Sequence, residues 1–278
     1  MRYFLGPFLA FFGMVSLAAA EDTSGASPSP SPSAEASPEA ANAANKPATW
    51  FSVNVEGPYI AMTFDDGPSP ETTPRLLDIL KQRNIKATFF MIGQNAERNP
   101  AIVKRILAEG HEIGNHSWTH PQLSKLSDDR VTEEINKTQN AIKDASGYTP
   151  VLIRPPYGAI TGRQKEWIEK QFDLSVIIWS VDPFDWKRPG ASVIEQRILA
   201  GARPGAIVLS HDIHKQTVDA MPATLDALAA KGFKFVTVSQ LIAMNKPKSS
   251  PTPSPQSHPS GPPHPSPTKK HAKLAAGD

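Results

Sequence analysis

Between Trp50 and Asn245 the chain alternates short, nearly continuous apolar runs with longer stretches that repeat an apolar residue every third or fourth position. That alternation is the pattern of parallel strands connected by helices. The first run, Tyr59 to Phe64, precedes a predicted helix capped by Thr73, opened by Pro74 and striped by Leu76, Leu77, Ile79 and Leu80. Ala87 to Met91 forms the next predicted strand. Asn99 and Pro100 then open a helix that carries Ile102, Val103, Ile106 and Leu107 and stops at Gly110. Further strands are predicted at His111 to Asn115, Val151 to Arg154, Leu174 to Trp179, Ala206 to Ser210 and Phe233 to Val236, with helices near 128–145, 163–171, 192–200 and 217–231. Seven strand-helix units in about 190 residues are one short of a closed β/α barrel, so the expected fold is α/β, an incomplete TIM-like (β/α)7 barrel. A doubly wound open sheet has the same periodicity and is the alternative. Both folds gather ligands and catalysts beyond the carboxyl ends of the strands.

The flanks are different. Arg2, an apolar run from Tyr3 to Leu17 and then Ala18, Ala19 and Ala20 have the charged, apolar, small-residue order of a signal peptide over 1–20, with cleavage expected after Ala20. A retained anchor is the alternative, although the run is shorter than the ~20 residues a spanning helix needs. Residues 21–47, rich in Ser, Pro and Ala, form a linker that cannot bury enough surface to offset its chain entropy. The folded domain is expected at 48–245, followed by a disordered tail over 246–278 with nine prolines, three histidines and five lysines. The expected location is therefore outside the cytoplasm: periplasmic, cell-wall associated or extracellular. There is no cysteine, so a packed core must supply the stability.

Charge refines this division. Residues 1–20, 21–47 and 246–278 carry +1, −3 and +4, which leaves none of the whole-chain +2 for 48–245. A domain without net charge gives no argument for nucleic acid as a partner. The basic tail suits contact with an anionic wall polymer or membrane surface, or serves solubility.

Polar residues able to do chemistry collect at the predicted strand ends. Thr63 to Pro68 end the first strand, Asn115 to His120 the third, Arg154 to Gly158 the fourth, Asp182 to Trp186 the fifth and Leu209 to Asp212 the sixth. Adjacent carboxylates at a strand end point in alternate directions, so one can bind a cation while its neighbour faces water or substrate. Asp65-Asp66-Gly67-Pro68 by itself also reads as a plain turn. His116 and His120 are spaced to reach one metal from a helical turn or a tight loop; a pair of surface histidines is the other reading. His111-Glu112 lacks a histidine at the spacing of a zinc-peptidase helix. Asp66 with the two histidines gives a donor set suited to Zn2+, Co2+ or another divalent ion, with open positions that imply catalysis.

Thr63-Phe64-Asp65-Asp66, His116-Ser117-x-x-His120, Arg154-Pro155-Pro156-Tyr157, Asp182-x-x-Asp185-Trp186 and Leu209-x-His211-Asp212 resemble, in order, the five motifs of the polysaccharide deacetylases, carbohydrate esterase family four with its nodulation-type domain. The resemblance spans 56–244. It implies a single catalytic domain with an incomplete β/α barrel, and removal of acetyl groups from peptidoglycan, chitin oligomers or xylan. It further implies Asp65 as general base with Arg154 as its partner, Asp66, His116 and His120 as metal ligands, and His211 as general acid. Asp185 would orient His211, with Asp182 the alternative; the backbone N–H of Tyr157 would hold the oxyanion. Trp186 and Leu209 would wall the acetyl pocket, with core packing the other reading of Leu209. The substrate expected is an N-acetylated polysaccharide. An O-acetyl esterase acting on xylan or another acetylated glycan, and a catalytically silent carbohydrate-binding module, are the alternative functions.

Overall fold

A computed structural model of the chain describes residues 48–246. The expected signal peptide, the linker and the tail beyond Lys246 lie outside the described residues.

Eight strands form one parallel sheet: β1 (Thr49–Trp50), β2 (Tyr59–Asp65), β3 (Thr88–Met91), β4 (Glu112–Asn115), β5 (Leu152–Ile153), β6 (Ser175–Ile177), β7 (Ile207–Val208) and β8 (Lys234–Phe235). The order is β1-β6-β5-β4-β3-β2-β7, with β8 also on β2. Past β6 the chain runs on to Val181, which bridges in parallel to Val208 of β7. That bridge brings the sheet round into an irregular barrel. Near the strand starts, β1 pairs with β6 while Ser52 bridges Ala206, and β8 pairs with the first two residues of β2. All seven predicted strands exist, but most are shorter than the apolar runs implied.

The helices are α1 (Thr73–Gln82), α2 (Gly93–Arg98), α3 (Pro100–Ala108), α4 (Asp128–Ser146), α5 (Gly162–Phe172), α6 (Ala191–Gly201), α7 (Lys215–Ala230) and α8 (Val238–Ala243). Thr72, not Thr73, caps α1. Helices α2 and α8 and strand β1 escape the periodicity reading. Helix α2 is polar with Gly93 and Ala96 its buried residues, so it has no apolar stripe. Helix α8 is one and a half turns long, although the Thr237/Gln240 capping box marks its start.

Strand β2 shows how the sheet sorts its side chains. Ile60, Met62 and Phe64 point outward into the cluster formed with Leu76, Leu77 and Leu80 of α1. Ala61 points inward and packs with Phe90, Leu152, Ile177 and Ile207, a cluster closed at the strand starts by Val238, Leu241 and Ile242 of α8. The next inward residues, Thr63 and Asp65, are polar and buried. The period of two therefore converts a hydrophobic plug into a polar floor within one strand.

Candidate active site at the carboxyl end of the barrel

Asp65 is fixed from below. Oδ1 accepts a hydrogen bond from Arg154 Nη1 at 2.6 Å, and the same nitrogen donates to Thr63 Oγ1 at 2.7 Å. Arg154 has no exposed surface, donates through Nη2 to Ile178 O at 3.1 Å, and lies 4.1 Å over the Phe90 ring. Burial pulls the guanidinium basicity down, and the Asp65 carboxylate beside it opposes that pull. A planar fork held on several sides is a rigid counter-charge for a buried carboxylate.

Asp66 adopts a left-handed backbone (φ 74°) where the chain turns after Asp65. Asn95 of α2 donates to the Asp66 carbonyl at 2.7 Å and so braces the turn. Asp66 Oδ1 lies 3.4 Å from His116 Nε2 and 3.4 Å from His120 Nε2. Two ligands about 2.0–2.1 Å from a shared tetrahedral ion stand roughly 3.4 Å apart, so these spacings are those of a metal site. One ligand atom from each of the three residues falls within 4.8 Å of the others. Asp66 Oδ1 is also buried without a hydrogen-bond partner among the described residues, which a cation would remedy. Burial works against ionisation of Asp66, but the imidazoles around it, His116 first and then His211 and His120, bring its pKa down to about 2. Burial and the neighbouring His116 push the basicity of His120 down, toward the neutral form a metal requires. His116 Nδ1 is 2.6 Å from Arg154 O; a carbonyl only accepts, so Nδ1 carries the proton and the Nε2 lone pair faces Asp66.

The histidines occupy a tight loop, not a helical turn, because Ser117 (φ 63°) and His120 (φ 61°) are both left-handed. The buried Glu134 of α4 accepts from the backbone N–H of Trp118 and Thr119 at 2.8 Å each and from Thr119 Oγ1 at 2.8 Å. Glu134 was missed in the sequence, though it left a signal: it shares the buried α4 face with Val131, Ile135, Thr138 and Ile142, where an acid is costly unless paired.

Across from the candidate metal ligands, the buried Asp185 holds His211. Oδ1 is 2.9 Å from His211 Nδ1, and Oδ2 accepts from His211 N at 2.8 Å and from Thr217 Oγ1 at 2.7 Å. Asp182 instead accepts from Phe184 N at 2.7 Å, so of the two acids it is Asp185 that the fold sets against His211. Burial lowers the basicity of His211, but the hydrogen bond and charge of Asp185, with Asp65 and Asp66, drive its pKa up to about 9. Thr217 is a second residue that sequence reasoning missed, since it lies in a helix outside every motif. Asp212, also unassigned from the sequence, is buried under the Asp66-Gly67 turn and accepts from Thr73 Oγ1. A Cβ on Gly67 would meet Asp212 Oδ2 at 2.3 Å, so only glycine fits there. Burial, helped by the nearby Asp66 charge, pushes the Asp212 pKa up to about 7.

Tyr157 is left-handed (φ 61°), is 67% exposed, and sets its ring edge-on to His120 with centroids 4.7 Å apart. Trp186 is exposed beside Asp185, whereas Leu209 is buried yet joins none of the three packed apolar clusters. Six of the eight described non-glycine residues with positive φ, Asp66, Ser117, His120, Tyr157, Phe184 and Arg188, lie in these loops. Strain concentrated in this way is a mark of a functional rim.

The family model for polysaccharide deacetylase matches residues 52–176. The peptidoglycan-N-acetylglucosamine deacetylase PgdA of Listeria monocytogenes is 50% identical over 182 residues, covering 66% of this chain and 38% of the relative, so the chain spans well under half of that protein's length. A peptidoglycan-N-acetylglucosamine deacetylase of Bacillus cereus is 43% identical over 211 residues, covering 72% of this chain and 76% of the relative. Among solved structures, the Bc1960 peptidoglycan N-acetylglucosamine deacetylase, in complex with a naphthyl-substituted N-hydroxybenzamide, matches with a TM-score of 0.68 at 40% identity, over 72% of this chain and 95% of that one.

Proposed function

Because the chain belongs to the polysaccharide deacetylase family, we propose that it hydrolyses acetamido groups on N-acetylglucosamine-containing polysaccharide, peptidoglycan foremost, and releases acetate. The observation that carries this reading is the meeting of Asp66, His116 and His120 beside a second carboxylate, Asp65, whose Oδ1 is bonded to Arg154 and whose Oδ2 lies 3.7 Å from His116 Nε2. A divalent cation held by the three ligands, Zn2+ foremost and Co2+ or another ion as alternatives, supplies Lewis acidity toward water and the acetyl carbonyl.

The remaining work belongs to the chain. Arg154 occupies Asp65 Oδ1, which leaves Oδ2 to take a proton from the attacking water. The Tyr157 N–H is the expected donor to the oxygen that gains charge as the carbonyl carbon becomes tetrahedral. His211, protonated at neutral pH and fixed through Nδ1, delivers a proton to the sugar nitrogen, and the C–N bond breaks to give acetate and an amine. Trp186 and Leu209 bound the space for the methyl group. An amide nitrogen leaves poorly unless protonated, so the Asp185-His211 pair favours N-deacetylation over the simpler hydrolysis of an acetyl ester. Action outside the cytoplasm is part of the same proposal, supported by the order of residues 1–20.

The test is acetate release by the purified full chain from peptidoglycan, chitin oligomers and acetylxylan, with chelator and after metal is restored. Release from the N-acetylated glycans, lost with chelator and regained with Zn2+ or Co2+, is expected. Release from acetylxylan alone would overturn the reading.

A further inference from the structure

The turn that carries Asp185 also carries an exposed group of rings and cations at the rim of the acetyl pocket that Trp186 bounds. Phe184 and Trp186 are 41% and 49% exposed, with ring centroids 6.2 Å apart. Lys187 Nζ stands 5.0 Å from the Phe184 centroid and 4.8 Å from that of Trp186. Arg188, also exposed, follows directly. Among the described residues Lys187 and Arg188 form no ion pair, whereas the nearby Lys215 is held by Asp219 at 2.7 Å. Asp182, whose carboxyl feels the charge of Lys187, bonds the backbone N–H of Phe184 instead.

This platform is rigid and faces the site. Phe184 and Arg188 both have φ of 54°, a left-handed conformation that bulky residues rarely adopt, and they bracket the single turn that sends Asp185 inward and Trp186 and Lys187 outward. Arg197 braces it from behind, donating to Pro183 O at 3.0 Å with its guanidinium 5.7 Å from the Phe184 ring. Arg188 is near enough for its charge to act on His214, whose ring lies 5.9 Å from that of His211. The group therefore flanks the proton donor.

Aromatic faces take the C–H face of any pyranose, neutral or acidic. Cations that form no ion pair beside those rings suit a sugar that brings its own negative charge. We propose that Phe184, Trp186, Lys187 and Arg188 form a subsite for a carboxylate-bearing sugar next to the N-acetylated sugar that reacts, so that acidic N-acetylated glycans are selected over neutral ones. The inference rests on the deacetylase reading and extends it from the bond cleaved to the polymer recognised. The carboxylate can belong to a lactyl ether on the sugar or to a peptide attached there.

The full chain and its Lys187→Gln/Arg188→Gln variant are compared on three soluble substrates: a neutral N-acetylglucosamine pentamer, an oligosaccharide alternating N-acetylglucosamine with N-acetylmuramic acid, and the latter bearing peptide stems. For the parent, KM on an acidic substrate is expected to be roughly tenfold below that on the neutral one, and salt should erode the difference. In the variant the acidic-to-neutral ratio of kcat/KM should fall by roughly tenfold, through KM and not kcat. A preference seen only with stems assigns the cations to peptide carboxylates. Equal KM values in the parent, or equal losses on all substrates in the variant, overturn the subsite. Binding of the same oligosaccharides to Asp65→Asn, with and without the double substitution, separates this inference from the reaction itself. Acidic preference in binding without acetate release from the parent would sink the deacetylase reading and leave the subsite standing; acetate release without preference would do the reverse.

Discussion

The two ends of the barrel handle buried polar groups in opposite ways. At the strand starts, Glu112 Oε2 accepts from Thr88 Oγ1 at 2.8 Å and from Ser239 N at 3.1 Å, and Thr88 Oγ1 in turn accepts from Val238 N at 2.9 Å. These bonds tie α8 over the interior, and burial raises the pKa of Glu112. At the carboxyl end, side chains are spent on one another: Arg154 on Asp65, Asp185 on His211, with Asp66 Oδ1 left bare. One end closes the fold, and the other stores unsatisfied charge for use. The contrast extends to pH, because burial together with Lys86 lowers the His111 pKa to about 4 while His211 rises to about 9.

The largest expected effect falls on chemistry at the carboxyl end with little change in fold. Asp65→Asn should lower kcat by roughly 10²–10⁴-fold with bound metal retained, whereas His116→Ala should lose the metal, as metal analysis after gel filtration would report. Equal metal loss in both variants would mean that the two aspartates have been divided wrongly.

The contrast is sharpened by removing one buried charge from each end. Arg154→Leu leaves Asp65 buried without its counter-charge and should cost about 3–5 kcal/mol in urea unfolding. Glu112→Gln keeps an acceptor for Thr88 and Ser239 and should cost about 1 kcal/mol or less. Similar losses would erase the distinction between the two ends.

The two histidines should give opposite pH limbs. The folded state resists protonating His111, so its stability contribution is complete above 6.5 and is lost as pH falls toward about 4. That loss is on the order of 3 kcal/mol at most, and His111→Asn, which keeps an acceptor for Ala87 N, should flatten it. The folded state favours protonated His211, so its contribution is complete below 6.5 and is lost as pH climbs through about 9. Turnover should decline across that same upper limb if His211 is the acid, and a pH-rate profile unchanged above 9 would contradict its role.

The smallest effect is expected at Thr217. Thr217→Val removes one hydrogen bond to Asp185, about 1 kcal/mol, and should lower kcat less than tenfold while KM stays put. A loss as large as that of Asp65→Asn would make Thr217 part of the reacting centre.

Most of the candidate site was legible because strand ends are local features: Asp65, Asp66, His116, His120, Arg154, Asp185 and His211 each follow an apolar run and carry a type of side chain that chemistry needs. Glu134 and Thr217 were not, since each acts only on residues 15 or more positions away and sits in an ordinary helix. The choice between Asp182 and Asp185 was likewise closed to periodicity, because both occupy one loop and only the fold directs Asp185 inward.

Periodicity and motif order by themselves determined that parallel strands alternate with helices, which strand ends bear reactive groups, and which three residues suit a metal, because burial patterns and side-chain chemistry are written position by position. Tertiary structure alone decided that Val181 meets Val208 to bring the barrel round, that left-handed turns aim Asp66 and His120 at one point, and that Lys187 and Arg188 stand without an ion pair among the described residues, beside exposed rings. Those outcomes depend on contacts between segments far apart in the chain, whose energies no local window contains.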